Sequence, residues 1–143
     1  MSDSAVTPPV ARRRISGPGM VLVIVYAILA LAATGRSVYQ IATRFEEAPL
    51  AYALSGLAAV VYVVATLALL LRRDRLAWAT IGFELVGVLV VGTLSLFLPG
   101  VFGSAFGGDG TVWSWYGAGY LLVPLVLPVL GLLWLRRATR KAV

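Results

Sequence analysis

Four apolar stretches, each about as long as a bilayer is thick, constrain this chain more than any other feature. They run from Gly19 to Gln40, Pro49 to Leu71, Leu76 to Leu98 and Tyr116 to Leu135. A hydrocarbon core about 30 Å thick takes about 20 apolar residues of helix. Lipid offers no hydrogen bonds, so a crossing segment must satisfy its own backbone, and each stretch therefore reads as helix. The expected fold is all-α, a polytopic four-helix transmembrane bundle over residues 18–136, with short polar tails at 1–17 and 137–143. Composition leaves no room for a separate soluble module. The 143 residues are 60% hydrophobic and 13% charged, about half the charge of an ordinary soluble domain.

Charge sets the expected orientation. Arg12, Arg13 and Arg14 precede the first stretch, Arg72, Arg73 and Arg75 link the second to the third, and Arg136, Arg137, Arg140 and Lys141 follow the fourth. These three clusters hold ten of the twelve basic residues, leaving only Arg36 and Arg44 outside them. An even number of crossings puts all three on one side, and basic residues are retained in the cytoplasm. Both termini are therefore expected to be cytoplasmic. The first basic run also resembles a secretory signal, with Ala30-Leu31-Ala32 mimicking a cleavage site. Three further spans follow, so an uncleaved first helix is expected. Met1 to Gly17 lacks apolar periodicity and reads as a disordered tail with a basic anchor.

The net charge of +6 does not imply nucleic acid, because the basic residues cluster at span ends rather than along one face. Their natural partner is the lipid surface. The chain has no cysteine and no histidine, which removes thiol chemistry, Cys/His zinc sites, His- or Cys-held haem and any histidine proton shuttle. No phosphate loop, nucleophile elbow or dinucleotide fingerprint occurs. The spans offer a single acid, too few for a carboxylate pair. No catalytic residues, cofactor or metal are expected, and an enzyme is not. Eleven arginines against one lysine, with heavy use of Ala, Val, Leu and Gly, match the habit of high-GC bacterial genomes.

Helices in lipid associate through small residues rather than through burial of grease. On the second span Ala51, Ser55, Ala58, Ala59, Tyr62 and Thr66 form such a stripe, expected to face the bundle. Leu50, Leu54, Leu57, Val61, Val64, Ala68 and Leu71 form the stripe expected to face lipid. On the third span Ala77, Thr80, Glu84, Gly87, Val91 and Ser95 share one face. The fourth places Tyr120, Pro124, Pro128 and Gly131 together. Each proline removes a donor and frees the carbonyl four residues earlier, so a bend is expected near Pro124 to Pro128. The loop from Pro99 to Trp115 is glycine-rich and reads as a connection dipping into the interface, with a lid over a ligand site as the alternative. Trp113, Trp115 and Tyr116 read as an interfacial aromatic belt on one side, Trp78 and Trp134 on the other. Val38, Ile41, Ala42 and Phe45 recur at helical spacing and carry the first span onward onto the outer surface.

Glu84 is the residue that needs a reason. It is the only ionisable side chain well inside a span, near the midplane, where insertion of an acid costs about 2.5 to 3.5 kcal/mol. Three states are open to it. It could stay protonated, since desolvation disfavours the charge, and donate to a carbonyl freed at Tyr120 or Pro124. It could pair with Arg36, or it could line a watery cavity and exchange protons or a cation. The candidate intramembrane polar site is therefore Glu84, Arg36, Tyr62, Thr80, Tyr120 and Pro124. Arg44, Glu46 and Glu47, with Arg36 nearby, form a candidate outer polar cluster, either interfacial ion pairs or an anion site.

Four segments carry a resemblance: Gly35-Arg36-Ser37, Arg44 through Tyr52, Phe83-Glu84-Leu85-Val86-Gly87, and Trp113-Ser114-Trp115-Tyr116-Gly117. Together they resemble a group of small four-span integral membrane proteins of high-GC bacteria. That resemblance implies a fold and a cell-membrane location, and no activity. The span count and single membrane glutamate are also similar to small multidrug exporters, but their glutamate lies in the first helix and this one in the third. The function expected is an accessory or assembly component, with a membrane-protein partner or a second copy as its contact. The alternative is a small oligomeric proton- or cation-coupled carrier or channel using Glu84.

Overall fold

The computed structural model describes residues 17–102 and 110–141, and every regular element among them is helical. They are α1 (Gly17–Arg44), a 3-10 turn (Phe45–Glu47), α2 (Pro49–Leu70), α3 (Asp74–Phe97), the single turn α4 (Pro99–Phe102), a 3-10 segment (Ser114–Tyr120) and α5 (Val123–Lys141). The tail with Arg12 to Arg14, the loop centre with Gly103, Phe106, Gly107, Gly108 and Asp109, and Ala142 and Val143 lie outside the described residues. Three helices, α1 with its extension, α2 and α3, are long and apolar enough to cross a membrane. The count reaches four when the segment Ser114–Tyr120 and α5 are taken as one span bent by 98°.

Local chemistry explains most boundaries. α1 runs on past Gln40 to Arg44, in line with the helical spacing of Val38, Ile41, Ala42 and Phe45, and the 3-10 turn continues it. Pro49 opens α2, where its missing N–H costs nothing and its fixed φ suits the first turn. α2 closes with the Arg73 N–H donating to the Ala68 carbonyl at 2.8 Å and the Arg72 N–H to Leu69 at 3.3 Å. This is a Schellman end, and Arg72 occupies its left-handed position (φ 54°), where glycine is the usual residue.

The fourth stretch departs from expectation. No continuous helix begins at Tyr116, and the break falls at Leu121 and Leu122 (φ 57° and 60°) rather than between Pro124 and Pro128. Pro124 lies in the first turn of α5 and cannot donate back to the Tyr120 carbonyl, so the helix stops propagating there. The preceding segment closes on itself, the Leu122 N–H donating to Gly117 at 3.0 Å and the Leu121 N–H to Ala118 at 3.3 Å. From Val123 to Leu135, where the basic residues begin, α5 offers thirteen residues, about 20 Å of helix. That falls short of a bilayer core, so a fourth crossing requires the segment Ser114–Tyr120 together with α5. Such irregular backbone is tolerated at membrane depth only when protein buries it.

α1 packs along α2, α2 and α5 both flank α3, and α1 touches α5 only lightly, which makes α1 and α3 the diagonal pair. The expected inward stripe of α2 is buried throughout: Ala51, Ser55, Ala58, Ala59, Tyr62 and Thr66. Val61 and Ala68, expected to face lipid, are buried as well. α2 has neighbours on two sides, so its protected arc is wider than one stripe of residues.

Candidate functional site

Glu84 is wholly buried on the inner face of α3, roughly 15 Å from the start of that helix. Its Oε2 accepts a hydrogen bond from the Tyr26 hydroxyl of α1 at 2.8 Å. Its Oε1 is buried with no partner among the described residues. Tyr62 of α2 lies beside Tyr26, ring centroids 6.4 Å apart, and its hydroxyl accepts from the Trp113 indole Nε1 at 3.0 Å. On α5, Gly131 leaves the space this cluster needs. A methyl group there would come within 3.6 Å of the Tyr26 oxygen and 3.3 Å of Ile81 Cδ1. One residue from each of α1, α2, α3 and α5 thus meets at one level, and the bond from Tyr26 to Glu84 spans the diagonal of the bundle.

Sequence reading found Glu84 and Tyr62 and missed Tyr26 and Trp113. Tyr26 had a signal, because it is the only polar side chain between Gly19 and Thr34. Trp113 had a misleading one. Interfacial tryptophans are anchors, yet Trp113 is 1% exposed and its ring lies over Gly87, 2.7 Å from where a Cβ would stand. Phe83 meets the same ring edge-on at 6.5 Å. The end of the Pro99 to Trp115 loop is therefore a plug. Its Ser114 hydroxyl donates to the Phe102 carbonyl at 2.6 Å, and the Trp113 and Ser114 amides both donate to the Thr111 hydroxyl at 3.0 Å. The Trp115 amide donates to Ser95 of α3 at 2.8 Å.

Arg36 does not reach Glu84. It stands ten residues beyond Tyr26 along α1, about 15 Å higher on a helix. There its Nη2 donates to the Gly110 carbonyl at 3.0 Å and its Nη1 to the Tyr120 hydroxyl at 3.5 Å. The guanidinium lies 5.8 Å from the Tyr120 ring centroid, within cation–π range. Arg36 ties the plug to α1. Nor do the freed carbonyls serve Glu84: its partner is Tyr26, and Pro124 and Tyr120 lie on the opposite side of the break from each other. The Thr80 hydroxyl is used within its own helix, donating to Leu76 at 2.8 Å. Arg44, Glu46 and Glu47 are exposed and form no ion pair among the described residues.

Because the two side chains are apart, Arg36→Gln and Glu84→Gln are expected to act additively on unfolding free energy, within about 0.5 kcal/mol. Arg36→Gln alone costs about 1 kcal/mol and speeds amide exchange at 110–120, since it removes the tie to Gly110. A coupling above that margin would restore the ion pair.

Two recesses open on the surface. A cleft of about 1070 Å³ lies between the start of α1 and the end of α5, at the level of Arg72. A shallower groove of about 540 Å³ runs down the outer face of α1 and α2, lined by residues such as Thr34, Ser37, Gly56, Ala59 and Val63. Ser37 is 4% exposed and its hydroxyl has no partner among the described residues. Neither recess is lined by Glu84. No family model, curated protein or solved structure matches this chain.

Proposed function

We propose that this protein is a non-catalytic, four-crossing component of a bacterial cell membrane, cytoplasmic at both ends, acting as an accessory or assembly subunit. The observation that carries the reading is the burial of Glu84: zero exposure, one neutral partner in Tyr26, and no ion pair among the described residues. A carboxylate in that setting would be an uncompensated buried charge. As the neutral acid it is a polar lock between diagonal helices, a role that needs no path to water. A carrier site, in contrast, must open to each side in turn. The groove on α1 and α2 supports the accessory role. Its small residues allow a partner helix to approach closely.

The test uses the neutral isostere. Glu84→Gln keeps an oxygen for Tyr26, so the variant is expected to fold and lose less than about 1 kcal/mol. Tyr26→Phe removes the donor and is expected to cost about 0.6 to 1.7 kcal/mol. In liposomes with a trapped pH dye and an imposed potential, the wild-type protein should conduct protons no faster than empty vesicles. A wild-type flux that vanishes in a folded Glu84→Gln variant would assign transport instead, with the unpartnered Oε1 as its proton site.

A further inference from the structure

The large cleft has the shape and charge order of a lipid. Along α5 its wall runs from Leu130 to Lys141, about 16 Å of helix and so about half of a hydrocarbon core. Part of its lining is apolar, with the buried Leu22 of α1 and Leu69 of α2 and the more exposed Leu130 and Leu133 of α5. The mouth carries Arg72, Arg137 and Lys141 against one acid, Asp74. None of these four forms an ion pair among the described residues. Trp134, a residue type at home at the headgroup level, stands on the same wall.

The backbone adds a separate observation. Arg72 holds a left-handed φ of 54°, a conformation that costs a residue with a Cβ roughly 1 to 2 kcal/mol and glycine nothing. The chain keeps an arginine where glycine would relieve the turn. Strain of this kind points to a use for the side chain, and this one lines the mouth of the cleft.

We propose that this cleft seats an anionic glycerophospholipid, its phosphate held by Arg72, Arg137 and Lys141 and one acyl chain lying between α1 and α5. The lipid belongs to the leaflet on the side of the 71–73 turn, and it fills the gap that the light contact of α1 with α5 leaves open. The inference goes beyond the accessory role and does not depend on it.

Native mass spectrometry of the full chain in detergent tests the proposal, with phosphatidylglycerol and phosphatidylcholine of matched chains as probes. The wild-type protein is expected to retain one phosphatidylglycerol in preference to phosphatidylcholine, and each of Arg72→Gln, Arg137→Gln and Lys141→Gln to lower that preference roughly fivefold. Leu130→Trp, which adds bulk to the apolar lining, should reduce retention of both lipids. Equal retention of the two lipids by wild type overturns the proposal. So does displacement of phosphatidylglycerol by equimolar inorganic phosphate, which would leave a headgroup site without an acyl seat. The wild-type comparison needs no variant, so it decides the matter even if a substitution prevents folding.

Discussion

Trp113→Ala is expected to cost about 3 kcal/mol, toward the lower end for loss of a buried tryptophan. In lipid the unfolded reference is not penalised for exposing grease, so the loss comes from packing and one hydrogen bond. The ring fills the space over Gly87, meets Phe83 edge-on and donates to Tyr62. Trp113→Phe should keep most of the packing and lose only the bond to Tyr62, about 0.6 to 1.7 kcal/mol. Gly87→Ala attacks the same contact from the other side and should cost about 1 to 3 kcal/mol by overpacking. Combined with Trp113→Ala its penalty should shrink, because the vacated space takes the methyl. Denaturant unfolding of the purified protein in detergent reads all of these. A Trp113→Ala loss below about 1 kcal/mol would mean that the plug is not seated in the bundle.

An all-or-none result is expected from cysteine labelling. The chain has no cysteine of its own, so Glu47→Cys, in the exposed 3-10 turn, and Asp74→Cys, at the exposed start of α3, each give a single reporter. A membrane-impermeant maleimide added to intact cells should modify Glu47→Cys and spare Asp74→Cys until the cells are permeabilised. The sign follows from the proposed topology, which keeps Arg72, Arg73 and Arg75 in the cytoplasm. Labelling of Asp74→Cys from outside would invert the proposed topology. Neither substitution removes a basic residue, so the probe leaves the orienting charges in place.

Periodicity and composition were enough for the parts of this protein that obey one-dimensional rules. Apolar length marked α1, α2 and α3, because a membrane span must satisfy its backbone internally and that requirement is visible in any window of about 20 residues. The small-residue stripe of α2 marked its buried face, and the isolation of Glu84 among apolar neighbours marked the costly side chain. Those features are local, and a single helix displays them. The partner of Glu84, the seat of Trp113 and the break at Leu121 and Leu122 are different in kind. Tyr26 and Glu84 are 58 positions apart and meet only because α1 and α3 stand across the bundle from each other. Trp113 reads as an interfacial anchor until Gly87 is found beneath it. Span-like composition hid the 98° bend before a short α5, since hydropathy measures how greasy a segment is and not whether its backbone runs straight. Which residues enter lipid was decided by transfer energy, a property of the side chains alone. Which of them touch was decided by helix packing, where a missing Cβ at Gly87 or Gly131 matters more than any hydropathy value.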